Sequence, residues 1–249
     1  MCFIKSKYSW LTAPILWLSG IIILLFINFC QTPEWIKENF DRQGHSPIEI
    51  ATVTLLFFVI LFLWLLPPVS LKNIKGKLLT ANFSIITFIA ICREMDWHKA
   101  MITPSNLEGA THGTPFKMRF LTNSINPLPD RLLVLFWFTV VIVICAGTLI
   151  WYIRPLLKGL FKFNPVCWSI AFLGGAVILI NIFDRMGSVL KKHFDIIMSS
   201  GLQSFGTVME EGQELLLPLI IIIAILQAHF LYNRDKVEAD EECAEVLQY

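Results

Sequence analysis

The chain has 249 residues, of which 55% are hydrophobic and only 16% are charged. Soluble domains carry about 25% charged residues, so a chain this poor in charge cannot cover a globule with polar surface and is predicted to lie largely in lipid. The net charge of +1 excludes a strongly basic surface, and we therefore expect no nucleic-acid partner.

Six segments are apolar and long enough, or nearly long enough, to cross a bilayer, which takes about 20 residues. In chain order they are residues 11–29, 48–66, 78–92, 132–153, 165–183 and 215–232. The first is predicted to be retained rather than cleaved, because its apolar run is long and no cleavage-site pattern follows it. The predicted fold is an all-α, polytopic membrane bundle of about six transmembrane helices, formed by residues 1–233 as a single domain.

Three further segments are not predicted to span. Residues 99–131 are rich in proline and glycine and are predicted to form an outer loop. Residues 186–205 place apolar side chains at helical spacing with polar ones mostly opposite, which predicts an amphipathic helix lying in the membrane interface. Residues 234–249 are acidic and are predicted to be a loose cytoplasmic tail.

The orientation follows from lysine and arginine in the short loops. The loops 67–77 and 154–163 each carry three of these residues and no acid, and they lie on the same side of a six-span bundle. That side is predicted to be the cytoplasm, with both termini there. The expected location is the inner (plasma) membrane of a bacterium, with the lipid bilayer as the first partner.

Ionisable residues collect at the predicted outer ends of the helices. An ionised carboxylate against an apolar run costs several kcal/mol unless it is paired or coordinated, so Glu49 and Glu214 need partners. Arg93 and Arg185 are the candidates, and a metal ion is the third possibility. The full set is Glu49 opening the second span, Arg93, Glu94, Asp96 and His98 closing the third, Asp184 and Arg185 closing the fifth, and Glu210, Glu211 and Glu214 opening the sixth.

Three interpretations of these residues stay open. In the first they are ion pairs and helix-end charges at the headgroup level, with acids favoured at helix N-termini by the helix dipole. In the second they hold a divalent metal such as zinc, which would activate a water molecule. In the third they form a metal-free binding or proton-handling site. The candidate metal ligands are Glu94, His98, Glu211 and Glu214, the catalytic candidates Glu94, Asp96, His98 and Glu214, and the binding candidates Arg93, Glu49, Asp184 and Arg185.

Three motifs, GHSPIE at 44–49, REMDWHKA at 93–100 and MEEGQELLLP at 209–218, carry a resemblance. In these the chain resembles a loose group of small bacterial inner-membrane proteins of unassigned function, which have R-E-x-D-x-H-like and E-E-x-x-E runs at helix ends. It is more distantly similar to the alkaline ceramidase and progestin-receptor-like membrane hydrolases. Those proteins have seven spans and a paired-histidine motif in the last helix, so their zinc site and amide hydrolysis are not carried over to this chain.

The sequence favours a multi-pass membrane protein whose outward-facing acidic, histidine and arginine cluster binds a lipid or membrane-protein partner, a lipid headgroup or an ion. The alternative is a metal-dependent hydrolase or transferase acting on a lipid at the outer leaflet, with Arg93 holding an anionic headgroup. The residues alone leave open whether the chain is an enzyme.

Overall fold

The computed structural model describes residues 8–40, 46–68, 71, 74–95, 97, 118–122 and 126–246, with only the backbone described at 118–119 and 232–246. A 3₁₀ turn at Ser9–Leu11 leads into the first helix, and no strand occurs within these ranges. The helices are α1 (Thr12–Cys30), α2 (Pro33–Phe40), α3 (Pro47–Leu65), α4 (Ile74–Glu94), α5 (Met118–Thr122), α6 (Leu128–Phe161), α7 (Pro165–Phe194) and α8 (Ser200–Val246).

Six of these helices, α1, α3, α4, α6, α7 and α8, are long and apolar enough to cross a membrane. The predicted all-α bundle of six spans is therefore confirmed. The helices α1 and α3 begin and end close to the predicted bounds, whereas α6, α7 and α8 run well beyond them. Hydropathy marks only the part of a helix that lies in lipid, and a helix can continue into more polar residues, as α6 does even past Pro155.

The predicted interfacial helix at 186–205 is wrong, because this segment is the end of α7, a turn, and the start of α8. The turn begins at Asp195, whose backbone adopts the left-handed conformation with φ of 53°. Beside the turn, Phe183 of α7 packs edge-to-face against Phe205 of α8, with ring centroids 5.7 Å apart. The apolar residues of an antiparallel hairpin show the same helical spacing as those of an interfacial helix, so the pattern alone does not separate the two.

Two other segments differ from the sequence-based expectation. The short helix α2 was not predicted; its Ile36 and Phe40 are buried against a core that includes Leu24 of α1 and Met209 of α8. The tail predicted to be loose continues instead as the backbone of α8 as far as Val246. Residues 219–246 contain neither glycine nor proline and are rich in alanine and glutamate near the end, so nothing local stops the helix.

Helix α8 is the centre of the bundle and contacts α1, α2, α3 and α7. Its approach to α1 depends on two glycines that face leucines of the opposite helix. A β-carbon at Gly20 would lie 2.5 Å from Leu216 Cδ1, and one at Gly212 would come even closer to Leu24. The two helices can approach this closely only because neither glycine carries a side chain.

Farther along α8, a buried polar network around Gln227 holds the helix in place. Gln227 donates its amide N–H to the carbonyl oxygen of Ser9 at 2.8 Å, and its amide oxygen accepts a hydrogen bond from Ser169 of α7 at 2.7 Å. All three residues are buried. Because each polar group in an apolar bundle needs a partner inside the protein, this network holds α7, α8 and the chain before α1 in register.

Gly20→Ala is expected to destabilise the protein by about 1–3 kcal/mol, because the added methyl group overlaps the buried side chain of Leu216. The measurement is thermal unfolding of the purified protein in detergent. Gly174→Ala is the matched control, since a β-carbon there has no neighbour within 4 Å. Equal melting temperatures for the two variants would contradict the close α1–α8 packing.

Candidate polar site at one end of the bundle

An ion pair joins α4 and α8 at the end of the bundle where α4 ends. Nη2 of Arg93, in the last turn of α4, lies 2.8 Å from Oε1 of Glu214 on α8. The side chain of Glu214 is only 8% exposed, whereas that of Arg93 is 66% exposed. The carboxylate is therefore buried beneath an arginine whose outer face remains accessible.

Further acids surround this ion pair. Glu94 lies within hydrogen-bonding reach of Glu214 and interacts electrostatically with Glu49 at the start of α3. Arg93 interacts in the same way with Asp184 of α7, and Glu211 with Glu49, Glu94, Glu210 and Glu214. We call this set the polar cluster: Glu49, Arg93, Glu94, Asp184, Glu210, Glu211 and Glu214, contributed by α3, α4, α7 and α8.

Glu49 is placed by the start of its own helix. Its backbone N–H donates to Ser46 Oγ at 3.1 Å, and its Oε2 accepts from the Ser46 backbone N–H at 3.1 Å. This is a capping box, in which a serine and a glutamate three residues later satisfy two free N–H groups of the first turn. The position of Glu49 near a helix N-terminus agrees with the helix-dipole interpretation.

The same interpretation is wrong for the acids of α8. Helix α8 begins at Ser200, so Glu210, Glu211 and Glu214 lie well inside it, where the dipole of the helix end no longer acts. Asp184 likewise does not close α7, which continues to Phe194. Glu214 depends on its ion pair with Arg93, as the cost of burying a carboxylate requires.

Several residues predicted for the site are not brought into the cluster by any described contact. Arg185 is exposed and follows Asp184 on α7, and the structure gives no contact between it and Glu49 or Glu214. Asp96 and His98 lie outside the described residues, so their roles as catalytic candidates stay predictions. Trp97, between them, is described and exposed.

Sequence reasoning missed Gln213, which is completely buried between Glu211 and Glu214 along α8. Its Nε2 donates to the carbonyl oxygen of Met209 at 2.9 Å, while its Oε1 accepts no hydrogen bond from the described part of the chain. Because acidic residues flank it in the sequence, no hydropathy or spacing signal marks its burial.

The metal hypothesis gains no support from the described side chains. Within them, no three histidine, cysteine, aspartate or glutamate residues are arranged to hold a metal ion. The predicted ligand set of Glu94, Glu211, Glu214 and His98 includes one residue outside this description, so a zinc site formed by all four stays a prediction. Glu94, Glu211 and Glu214 interact electrostatically, but these three carboxylates alone are not arranged to share one metal ion.

Comparison with known proteins gives no further guidance. No protein-family model matches the chain, and no curated protein or solved structure is significantly similar to it. The resemblance at the three helix-end motifs therefore stays a prediction, and the function has to be argued from the geometry and charge of the polar cluster.

Arg93→Gln is expected to lower the stability by about 1–3 kcal/mol, because it leaves the buried carboxylate of Glu214 without its counter-charge. The double variant Arg93→Gln/Glu214→Gln should recover part of this loss, since it removes the unpaired charge as well. Thermal unfolding in detergent of both single variants and the double variant gives the coupling energy.

Arg154→Gln is the control for the loss of one arginine. Arg154 is exposed, lies on α6 and is not a member of the polar cluster. If the stability loss of the double variant equals the sum of the losses of the two single variants, the ion pair does not stabilise the protein.

Proposed function

We propose that this chain is a multi-pass protein of a bacterial plasma membrane that binds a cationic group through the polar cluster on its outward face. Six apolar helices suffice for residence in a membrane. The observation that carries the proposal is the composition of the cluster, in which six acids from four helices surround one arginine. The sequence left open whether the ligand is a partner protein, a lipid headgroup or an ion. The charge of the cluster favours a ligand that carries a positive charge.

The charge of the cluster argues against an anionic ligand. Arg93 was the candidate for holding an anionic headgroup, but one of its nitrogens already donates to Glu214, and Glu94 and Asp184 interact with it as well. An anion approaching Arg93 would meet three carboxylates, and at short range in a medium of low polarity like charges repel strongly. A cation at the same place gains from these carboxylates and competes with the guanidinium group.

The alternative, a metal-dependent hydrolase or transferase acting on a lipid, needs a metal and a group that activates water. The neighbouring carboxyl groups of Glu94, Glu211 and Glu214 would supply oxygen ligands for it. No specific contact among the described residues favours this chemistry over cation binding, so the binding function is the conclusion.

Arg93→Gln is expected to raise the affinity for a small cation by about tenfold, because it removes a competing positive charge a few ångströms from the carboxylates. Manganese(II) serves as a probe of electrostatic attraction rather than of a shared ligand set, which the described acids do not form. Its free concentration can be read by electron paramagnetic resonance in a titration of the purified protein. Glu211→Gln should lower the affinity for manganese, because it removes one of the attracting charges.

Glu34→Gln on α2 is the matched control, since Glu34 is exposed and is not a member of the polar cluster. If the cluster instead bound an anionic headgroup, Arg93→Gln would lower the affinity for that ligand rather than raise it. Manganese binding that is the same in all variants would refute the proposal.

The outward orientation of the polar cluster rests on the basic short loops at 67–77 and 154–163, which we place in the cytoplasm with both termini. In intact cells, a variant that keeps only Cys30 should react with a membrane-impermeant maleimide, because Cys30 is exposed at the cluster end of α1. Lys158→Cys in a chain without native cysteines should react only after permeabilisation.

A variant that keeps only Cys145 is the control, because this exposed thiol lies in the apolar middle of α6 and should face lipid. Labelling of residue 158 and protection of Cys30 in intact cells would reverse the orientation, and the cluster would then face the cytoplasm.

A further inference from the structure

One face of α7 is open to lipid in the described structure. Ile170, Gly174, Val177 and Asn181 are all exposed, and they recur at intervals of four, three and four residues. This spacing is that of the seam along which two membrane helices pack side by side in a left-handed pair. We call these four residues the α7 seam.

The α7 seam is open because α6 diverges from α7 soon after the turn between them. The side chain of Cys167 fills the place that a β-carbon would take on Gly159, so the two helices touch there. Farther along, α6 bonds to α4 instead, where Asn82 donates to Thr148 at 2.5 Å. A β-carbon on Gly174 would meet no atom within 4 Å, so another helix can approach the backbone of α7 closely at this point.

The apolar members of the seam need no partner in lipid, but Asn181 does. Its amide has two N–H bonds and an oxygen, and one N–H donates to the carbonyl oxygen of Val177 on the same helix at 2.8 Å. Thr54 and Thr139, which are also exposed within spans, each have one hydroxyl hydrogen and donate it to a carbonyl of their own helix. Asn181 therefore keeps a donor and an acceptor for a group outside the described fold.

Asn181 lies inside the hydrocarbon layer. Trp10 and Trp168 pack together with ring centroids 5.2 Å apart, in an aromatic cluster of the kind found at membrane–water interfaces. From this level α1 continues to Cys30 over roughly 20 residues, or about 30 Å, which is the thickness of a hydrocarbon layer. Asn181 follows Trp168 by roughly 13 residues, or about 20 Å, and so lies about 10 Å inside the far boundary. At this depth lipid offers the amide no hydrogen-bonding group.

A second copy of this chain supplies the group that the amide lacks. Two copies inserted in the same direction are related by a two-fold axis along the membrane normal, so each residue lies at the depth of its own counterpart. Asn181 of one copy then faces Asn181 of the other. Because an amide both donates and accepts, the two side chains can form reciprocal hydrogen bonds.

The charges next to Asn181 are self-complementary as well. Asp184 and Arg185 are exposed and lie on opposite sides of the α7 seam, one turn beyond Asn181. In a two-fold pair the carboxylate of each copy lies beside the guanidinium group of the other. No ion pair among the described residues includes Arg185, so its charge is available for this contact.

We propose that this chain forms a homodimer in the membrane through the α7 seam, with Asn181 paired to its own counterpart. Gly174 lets the two backbones approach, and the buried amides fix the register of the two helices. Asp184 and Arg185 form reciprocal ion pairs at the end of the interface. The pairing needs no ligand in the polar cluster, so it does not rest on the proposed cation binding.

Energy transfer between donor-labelled and acceptor-labelled full-length protein in liposomes, at varied protein-to-lipid ratio, tests the dimer. Asn181→Leu and Gly174→Leu should each raise the dissociation constant on the order of tenfold, because the first removes the amide bonds and the second fills the contact. Asn181→Gln keeps an amide and should retain most of the pairing. Gly175→Leu is the matched control, since a β-carbon there also meets no atom within 4 Å but lies off the seam.

Disulfide formation identifies the face that pairs. Val177→Cys, in a full-length chain whose native cysteines are replaced, should cross-link two copies when the membranes are oxidised. Leu149→Cys should not, although it is exposed on α6 and lies as many residues from the Gly159–Cys167 contact as Val177 does.

Energy transfer that is absent at every protein density would overturn the proposal and leave Asn181 to a different membrane protein. A dimer that forms equally well with Asn181→Leu and Gly174→Leu, or that cross-links through residue 149 rather than 177, pairs through another face and would refute the α7 seam.

Discussion

A carboxylate on a membrane-spanning helix must find a positive charge or a hydrogen-bond donor inside the protein, because the lipid supplies neither. Glu214 meets this requirement through Arg93, which lies in the last turn of α4. The ion pair also brings the neighbouring Glu94 close to Glu214, and with it the acids of α3 and α8. One requirement of a single buried side chain thus collects charges from distant parts of the chain.

Along α8 the contacts change in kind between the polar cluster and Gln227. Close to the polar cluster, Gly20 and Gly212 let α1 and α8 approach until the side chains of Leu216 and Leu24 fill the space above each glycine. At the opposite end, Gln227 joins α8 to α7 and to the chain before α1 by hydrogen bonds. Since lipid gives helices no hydrophobic reason to associate, close packing and buried hydrogen bonds are the forces left to hold the bundle.

Two surfaces of opposite charge lie at the same end of the molecule. The polar cluster has six acids for one arginine, whereas the turn between α7 and α8 has two lysines and three uncovered apolar side chains. The two surfaces therefore differ in the sign of the charge that they present.

The sequence by itself determined the all-α class, the six spans and the collection of acids at one end, because hydropathy and helical spacing are local properties of the chain. It also placed Glu49 at the start of a helix, but the partner of Glu49 in the capping box, Ser46, was not predicted, although the two lie within four residues. Only the tertiary structure decided that Arg93 pairs with Glu214, since the two are separated by 121 positions and several acids competed for the arginine. It likewise decided that residues 186–205 form a hairpin rather than an interfacial helix, because an apolar helix face shows the same spacing whether lipid or another helix covers it.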